Sequence, residues 1–502
     1  VPLKVSQHAP AIAQEPNDEP TQAVTIVAPA AVIGRMDAAA DVDWVRVEAP
    51  KGSAWQVKGW GRRLGSPIDL VVAVHRDTAK RERITSNDDA AGPDSVVRVT
   101  TPDEGSFLVR VNDHLRRGGA EFIYWIELEP VAAGVALSVP PGRTNTQDRL
   151  VAAVPRGNRT VLVFNASRTD VDASLRLGFE GLPSGVQASS PEAVAKAAGT
   201  FAVFEAAADA PQVSALARVT ATTVATPEAA AKPVGGLRQT TELVFGQPNN
   251  ATYRTSVSDR LPVAVVGESP IRVDVDPPVT PLVRRGSMEL RVKIVRADGF
   301  TGKVRLGFPF KPPGIGAPSV VEIGEKETEA VYQLNASADA PIGEFSCVVT
   351  AVPKDKALSA VPVASLPVTA RVVETLVELA ADKAAAEAGQ EARMVCKVTK
   401  PGGFDGVAKV RLMGLPAKTS APELEFSADA TELVFPVQVS DDAPVGRHEN
   451  IFCQILVPQG DHWITHVMPG THLRIDKPKP KPQAKPAESA AVEQQPTSKE
   501  GS

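Results

Sequence analysis

Apolar and polar residues alternate with a period of two along most of the chain, and the alternation recurs in units. Thr160-Val161-Leu162-Val163-Phe164, Leu290-Arg291-Val292-Lys293-Ile294 and Met394-Val395-Cys396-Lys397-Val398 each carry the pattern. Each is followed by a Leu-containing strand that runs into a Gly/Pro turn: Leu175-Arg176-Leu177-Gly178-Phe179, Val304-Arg305-Leu306-Gly307-Phe308 and Val410-Arg411-Leu412-Met413-Gly414. An acidic corner then closes each unit, at Asp209-Ala210-Pro211, Asp339-Ala340-Pro341 and Asp442-Ala443-Pro444, with Leu-to-Asp gaps of 32, 33 and 30 residues. Period-2 alternation between turn residues predicts half-buried antiparallel strands. An Asp before Ala-Pro reads as a turn residue, not as a lone metal ligand.

A repeat of about 100 residues is the size of a seven-strand sandwich, so three immunoglobulin-like modules are expected after residue 132. Closing strands at Leu261-Pro262-Val263-Ala264-Val265 and Leu366-Pro367-Val368-Thr369-Ala370 set boundaries near 268 and 374. The modules are thus expected at 133–268, 269–374 and 375–476. The first carries an insertion before its closing strand, including Ala225 to Pro233, that reads as a long exposed loop or hairpin. The full length of 502 residues with 44 Pro and 37 Gly agrees, because Pro at this density interrupts long helices and one core rarely serves so many residues. The expected fold class is all-β, with helix confined to a few turns. From Lys477 to Ser502 the Lys/Pro-rich, Ala/Glu/Gln/Ser-containing end cannot bury a core and is expected as a disordered tail.

Residues 15–132 differ in texture, holding four of the five Trp, at 44, 55, 60 and 125. In order come Glu15-Pro16-Asn17-Asp18, Gly34, Asp41-Val42-Asp43-Trp44-Val45-Arg46-Val47 and Gly65-Ser66-Pro67-Ile68-Asp69. Asn87-Asp88-Asp89, Asp94-Ser95, Gly105-Ser106-Phe107-Leu108-Val109-Arg110-Val111 and Tyr124-Trp125-Ile126-Glu127-Leu128 follow. This stretch resembles the bacterial pre-peptidase C-terminal (PPC) domain. The resemblance implies a jelly-roll-like, non-catalytic sandwich of secreted or surface proteins, with residues 1–14 as a lead or the end of an upstream domain. Related collagenase modules bind calcium through an N-terminal segment and a nearby acidic loop. Gln14 stands where a further acid could, and no peptidase sequence is present.

Candidate chemistry is concentrated in the same domain. Between Glu15 and Trp44 six acids face Arg35 alone, leaving -5, as much as the net charge of the whole chain. Calcium takes six to eight hard oxygens, and Glu15, Asn17, Asp18, Asp37, Asp41 and Asp43 could supply them from two adjacent segments; the competing reading is solvated surface acids. Trp44 and Trp125 fall on the nominally wet faces of their strands, and Trp60 joins them. Such a platform suits a glycan or an extended, matrix-like polymer, and cover by the lead or by the next domain is the alternative. Of three cysteines, Cys396 and Cys453 lie on strands 57 residues apart, a spacing that suits a disulfide between two sheets, while Cys347 reads as a small buried hydrophobe.

Other chemistry is not spelled out. No G-x-S-x-G elbow occurs, Gly314-Ile315-Gly316 lacks the third Gly of a dinucleotide loop, and no apolar run reaches a membrane span. His462, His466 and His472 are too widely spaced along strands for zinc unless a turn folds them together. Short basic pairs such as Arg62-Arg63 and a near-neutral balance argue against nucleic acid. Four N-x-S/T sites, at Asn158, Asn165, Asn250 and Asn335, read as accidental. The chain opens Val1-Pro2-Leu3-Lys4, which leaves room for a removed export signal or an upstream segment. Two functions are expected: a non-catalytic module of an exported bacterial surface or secreted protein serving adhesion, presentation or spacing, or the accessory region of a secreted hydrolase or peptidase.

Overall fold

The computed structural model describes residues 4–89, 93–140, 150–246, 251–354 and 361–478. The expected tail, from residue 479 onward, and Asn250 lie outside the described residues. The fold is all-β in several sheets, and among the described residues the one helical element is a 3-10 turn at Arg62–Leu64. No helix among them is long and apolar enough to cross a membrane.

The first sandwich is built from β1 (Pro10–Ile12), β2 (Val24–Val27), β3 (Ala30–Arg35), β4 (Val42–Glu48), β5 (Ala54–Trp60), β6 (Leu70–Arg76), β7 (Arg83–Asn87), β8 (Val96–Thr100), β9 (Ser106–Asp113) and β10 (Ile123–Pro130). One sheet has the order β1-β3-β10-β5-β8 and the other β2-β4-β9-β6-β7. The alternation explains the core: Val57, Tyr124, Ile126 and Leu128 of one sheet meet Val45, Val47, Val72, Val109 and Val111 of the other in a single buried cluster. The lead contributes a strand of its own, since β1 pairs in parallel with β3, Pro10 opposite Ala31 and Ile12 opposite Ile33.

Residues 134–266 of the same compact unit form a nine-stranded sheet system around Phe164, Phe204, Leu175 and Val263. The inserted segment is a short strand, Pro233–Leu237, and an antiparallel hairpin, Gln239–Gly246 with Ala251–Ser258. The second compact unit, which takes most of the chain after residue 270, holds the other two modules. Their sheets join where Gly286–Arg296 pairs with His462–Val467, Gly286 opposite His466.

The repeat is visible in hydrogen bonds as well as in sequence. In each module a Pro carbonyl accepts from the amide three residues on: Val186 to Pro183, Ile315 to Pro312 and Thr419 to Pro416. The third turn residue, Gly185, Gly314 or Lys418, has φ of +76°, +72° or +63°. Its carbonyl accepts from Ala207, Ser337 or Ser440, whose own carbonyl takes the amide of the buried corner alanine, Ala210, Ala340 or Ala443. The Asp-Ala-Pro corner is therefore a turn that locks against a second turn. A Cβ on Gly314 would stand 2.6 Å from Ala340 Cα, so glycine is required there by both φ and space, whereas Lys418 carries the left-handed conformation with a side chain.

Cys396 and Cys453 are brought together in the core of the last module, but as thiols, with Sγ atoms 4.0 Å apart. The expected pair of residues is adjacent; a bond between them is not present. Cys347 is buried, and burial pushes its thiol up to about 12.

Two outcomes follow from this packing. Lys418→Gly should stabilise the chain by up to about 1 kcal/mol, relief of the left-handed strain outweighing the added freedom of the unfolded chain, whereas Gly314→Ala should destabilise it by more, read as midpoints of chemical denaturation. Shifts of the same sign would contradict the turn account. Mild oxidation should reduce the thiol count of the unfolded chain from three to one and raise stability by up to about 4 kcal/mol through the closed loop. Three thiols surviving oxidation would show that the two sulfurs do not bond.

Candidate metal centre

Burying a carboxylate in a sandwich demands a compensating partner, and two aspartates of the first sandwich have one. Asp94 accepts from the amides of Gly61, Arg62 and Arg63 and from Arg63 Nε at 2.6 Å. Asp113 accepts from the amides of Asp69, Leu115 and Arg117 and from the Arg117 guanidinium. Burial pushes the Asp113 carboxyl up, but these donors outweigh it and hold the group below its ordinary range. Both acids organise loops.

The third buried aspartate is different. Asp43 lies on β4, 1% exposed, and accepts from the Tyr124 hydroxyl at 2.5 Å through Oδ2, while its buried Oδ1 has no partner among the described residues. Carboxylate oxygens of Glu15, Asp41 and Asp43 lie within 4.8 Å of one another, the one such group among the described residues. The charges acting most strongly on these three are other carboxylates. Near a protein surface, like charges at that spacing repel by roughly 3 kcal/mol before further solvent screening, and the exposure of Glu15 screens part of this. Desolvation, then the neighbouring acids, pushes Asp43 up to about 7 although Tyr124 opposes it; desolvation likewise raises Glu15 and Asp41.

Local structure explains the convergence. The carbonyl of Asn17 accepts from the Trp44 amide at 3.0 Å, which docks the lead on β4. Glu15 Oε2 accepts from the Asn17 amide at 3.0 Å, which ties its carboxylate to the turn beside Asn17. Asn17 is 1% exposed, lies beside Asp43, and neither end of its side-chain amide has a well-formed hydrogen bond among the described residues. Asp18 adjoins Asp41. Asp37 stays on the rim, its carboxylate against Arg35 and its amide donating to Asp41. The set therefore offers oxygens from Glu15, Asn17, Asp18, Asp41 and Asp43, a donor chemistry that fits calcium, with Asp37 outside it.

Tyr124 and Gly34 were not foreseen as parts of this site. Tyr124 sits opposite Gly34 on β3, and a Cβ at Gly34 would occupy the place of the Tyr124 ring. The signal was there: a tyrosine on the inward face of a strand needs an acceptor for its hydroxyl.

The tryptophans depart from the expected open platform. Trp44 is 8% exposed and meets His75 edge-on at 5.2 Å between ring centroids, so it presents no free ring face. Trp60 and Trp125 are cross-strand neighbours on the outer face of their sheet, but Lys4 of the lead lies over Trp60, 4.4 Å from the ring centroid. The histidines do not converge either: His466 is fully buried while His462 is exposed.

No family model matches the chain, and no curated protein matches it. Solved structures similar to it include fibronectin(III)-like modules of Clostridium thermocellum CbhA, 13% identical over 41% of this chain and 93% of that one, with a TM-score of 0.16. The Escherichia coli adhesin FdeC is 11% identical over 68% of this chain and 96% of its own, with a TM-score of 0.15. The Yersinia pseudotuberculosis adhesin InvE is 11% identical over 41% and 58%, with a TM-score of 0.16. At such scores these likenesses carry no functional argument.

The raised Asp43 carboxyl gives a signed expectation for the metal-free chain. The native state holds a proton that the unfolded state has lost, so stability is greatest below about pH 4 and is lost as pH rises towards about 7. The span corresponds to an order of 4 kcal/mol. His466, lowered by burial to about 4, tilts the same window the other way, so the readout is the difference between parent and Asp43→Asn in chelator. The parent should lose ground to the variant as pH rises; parallel profiles would contradict the site's electrostatics.

Proposed function

We propose that the chain is a non-catalytic modular region of an exported bacterial surface or secreted protein, a row of β-sandwiches that spaces or presents other parts, with a calcium ion fastening its lead to the first sandwich. The observation that carries the calcium reading is the set of Glu15, Asp41 and Asp43, which has no basic side chain among its hydrogen-bond partners, beside the buried Asn17 amide, in a domain that meets Asp94 and Asp113 with arginines. Two facing five-stranded sheets in residues 10–130 support the resemblance to PPC modules, and the recurring turn-and-corner lock supports a spacer of similar units.

The ion would be held by Glu15, Asn17, Asp18, Asp41 and Asp43, and when bound it supplies positive charge where the chain supplies none. Its ligands come from the lead and from the edge of β4, so its structural effect is to tie the two together. A glycan or matrix-like polymer is the partner proposed for the presenting surface, without a role for the buried Trp44.

Calcium at about a hundredfold excess over Kd should stabilise the first sandwich by about 3 kcal/mol, raising its melting temperature by several degrees. Asp18→Ala combined with Asp41→Ala should remove the response and leave the chain folded. A melting curve indifferent to calcium and to chelator would overturn the metal reading.

A further inference from the structure

The outer face of the sheet β1-β3-β10-β5-β8 holds a carboxylate that should be wet and is not. Period-2 geometry puts Trp125, Glu127 and Glu129 of β10 outward, opposite Trp60, Lys58 and Gln56 of β5. Glu127 is nonetheless only 2% exposed. Residues 4–8, which bend at Gln7 and His8, cover it, with Lys4, Ser6 and His8 less exposed than their neighbours and Val5 87% exposed.

This inverts the usual logic of a covering strand, which buries its apolar side. Here the apolar residue faces solvent and the polar ones face the sheet, so polar recognition holds the segment. Lys4 Nζ lies 2.8 Å from Glu127 Oε2, as a charge pair, and 4.4 Å from the centre of the Trp60 ring. The Ser6 hydroxyl donates to Glu127 Oε1 at 2.5 Å. An ammonium between a desolvated carboxylate and an indole face gains from both charge pairing and cation–π attraction. Trp125 adds a buried indole N–H that has no acceptor among the described residues. Four residues further on, β1 extends the sheet edge along β3, the geometry of strand addition.

We propose that Trp60, Trp125, Glu127 and the β3 edge that β1 now covers form a recognition site for an extended peptide strand bearing a lysine, and that the lead of this chain occupies it as a built-in ligand. The site goes beyond the calcium reading and does not need it: its groups lie on the outer face and in residues 4–12, whereas the metal oxygens lie at residues 15–18 and 41–43. A lysine-bearing strand from elsewhere binds when the lead is displaced. In cis the lead competes at an effective concentration of about millimolar, so the undisturbed chain is a poor acceptor.

The test uses the full chain with Lys4→Glu, which sets a like charge against Glu127 and drives the lead off. A fluorescently labelled peptide with the sequence of residues 2–12 is titrated in by polarisation. The Lys4→Glu chain should bind it at least about tenfold more tightly than the parent. Replacing the peptide's lysine by alanine, or adding Glu127→Gln to the chain, should remove that gain. Should the Glu127 variant fail to fold, Trp60→Leu replaces it and should weaken binding in the same direction. Equal binding by parent and Lys4→Glu chains, or binding indifferent to the peptide's lysine, would overturn the proposal.

Discussion

A charge removed from water must be met by a partner, and this rule organises the first sandwich. Asp94 and Asp113 meet it with backbone amides and arginines, Glu127 meets it with Lys4, and Asp43 meets it with one tyrosine hydroxyl and further acids. The consequences differ accordingly. The first two acids fix loops, the third holds the segment of the lead around Lys4 and Ser6 on the outer face, and the fourth stands in a cluster of acids that raises its carboxyl.

The remaining modules depend on a different constraint, the close approach of two turns. A left-handed residue in one turn offers its carbonyl to the corner of the other, and the small corner alanine lets the two backbones meet. Because the lock is local to each module it can be repeated without altering the sheets around it, as nearest-neighbour architectures require. Lys418 shows that glycine is preferred at the turn but not obligatory where no Cβ clash arises.

Much of the fold was legible because strand periodicity and turn chemistry are local. Thr160–Phe164, Leu290–Ile294 and Met394–Val398 all fall within strands, and the Asp-Ala-Pro corners are turns. The acidic segments were legible as a cluster since their charge had little nearby compensation, though only tertiary structure separates Asp37, against Arg35, from the converging Glu15, Asp41 and Asp43. Of the two readings of the tryptophans, an open platform or cover, Lys4 of the lead over Trp60 favours cover. Alternation assigns Trp44, Trp60 and Trp125 to a side of a sheet, but it does not know that His75 packs on one or that Lys4 lies over another. Likewise, spacing brought Cys396 and Cys453 into contact, whereas bonding depends on an oxidant and not on the chain.

The most direct test of the central claim is a crystal structure grown with calcium at about pH 8, with anomalous scattering used to locate the ion. The account predicts one anomalous peak about 2.3–2.6 Å from oxygens of Asp41, Asp43 and Asn17, with Glu15 or Asp18 completing the shell. Water alone at that position, with the carboxylates hydrogen-bonded to one another through shared protons, would contradict it.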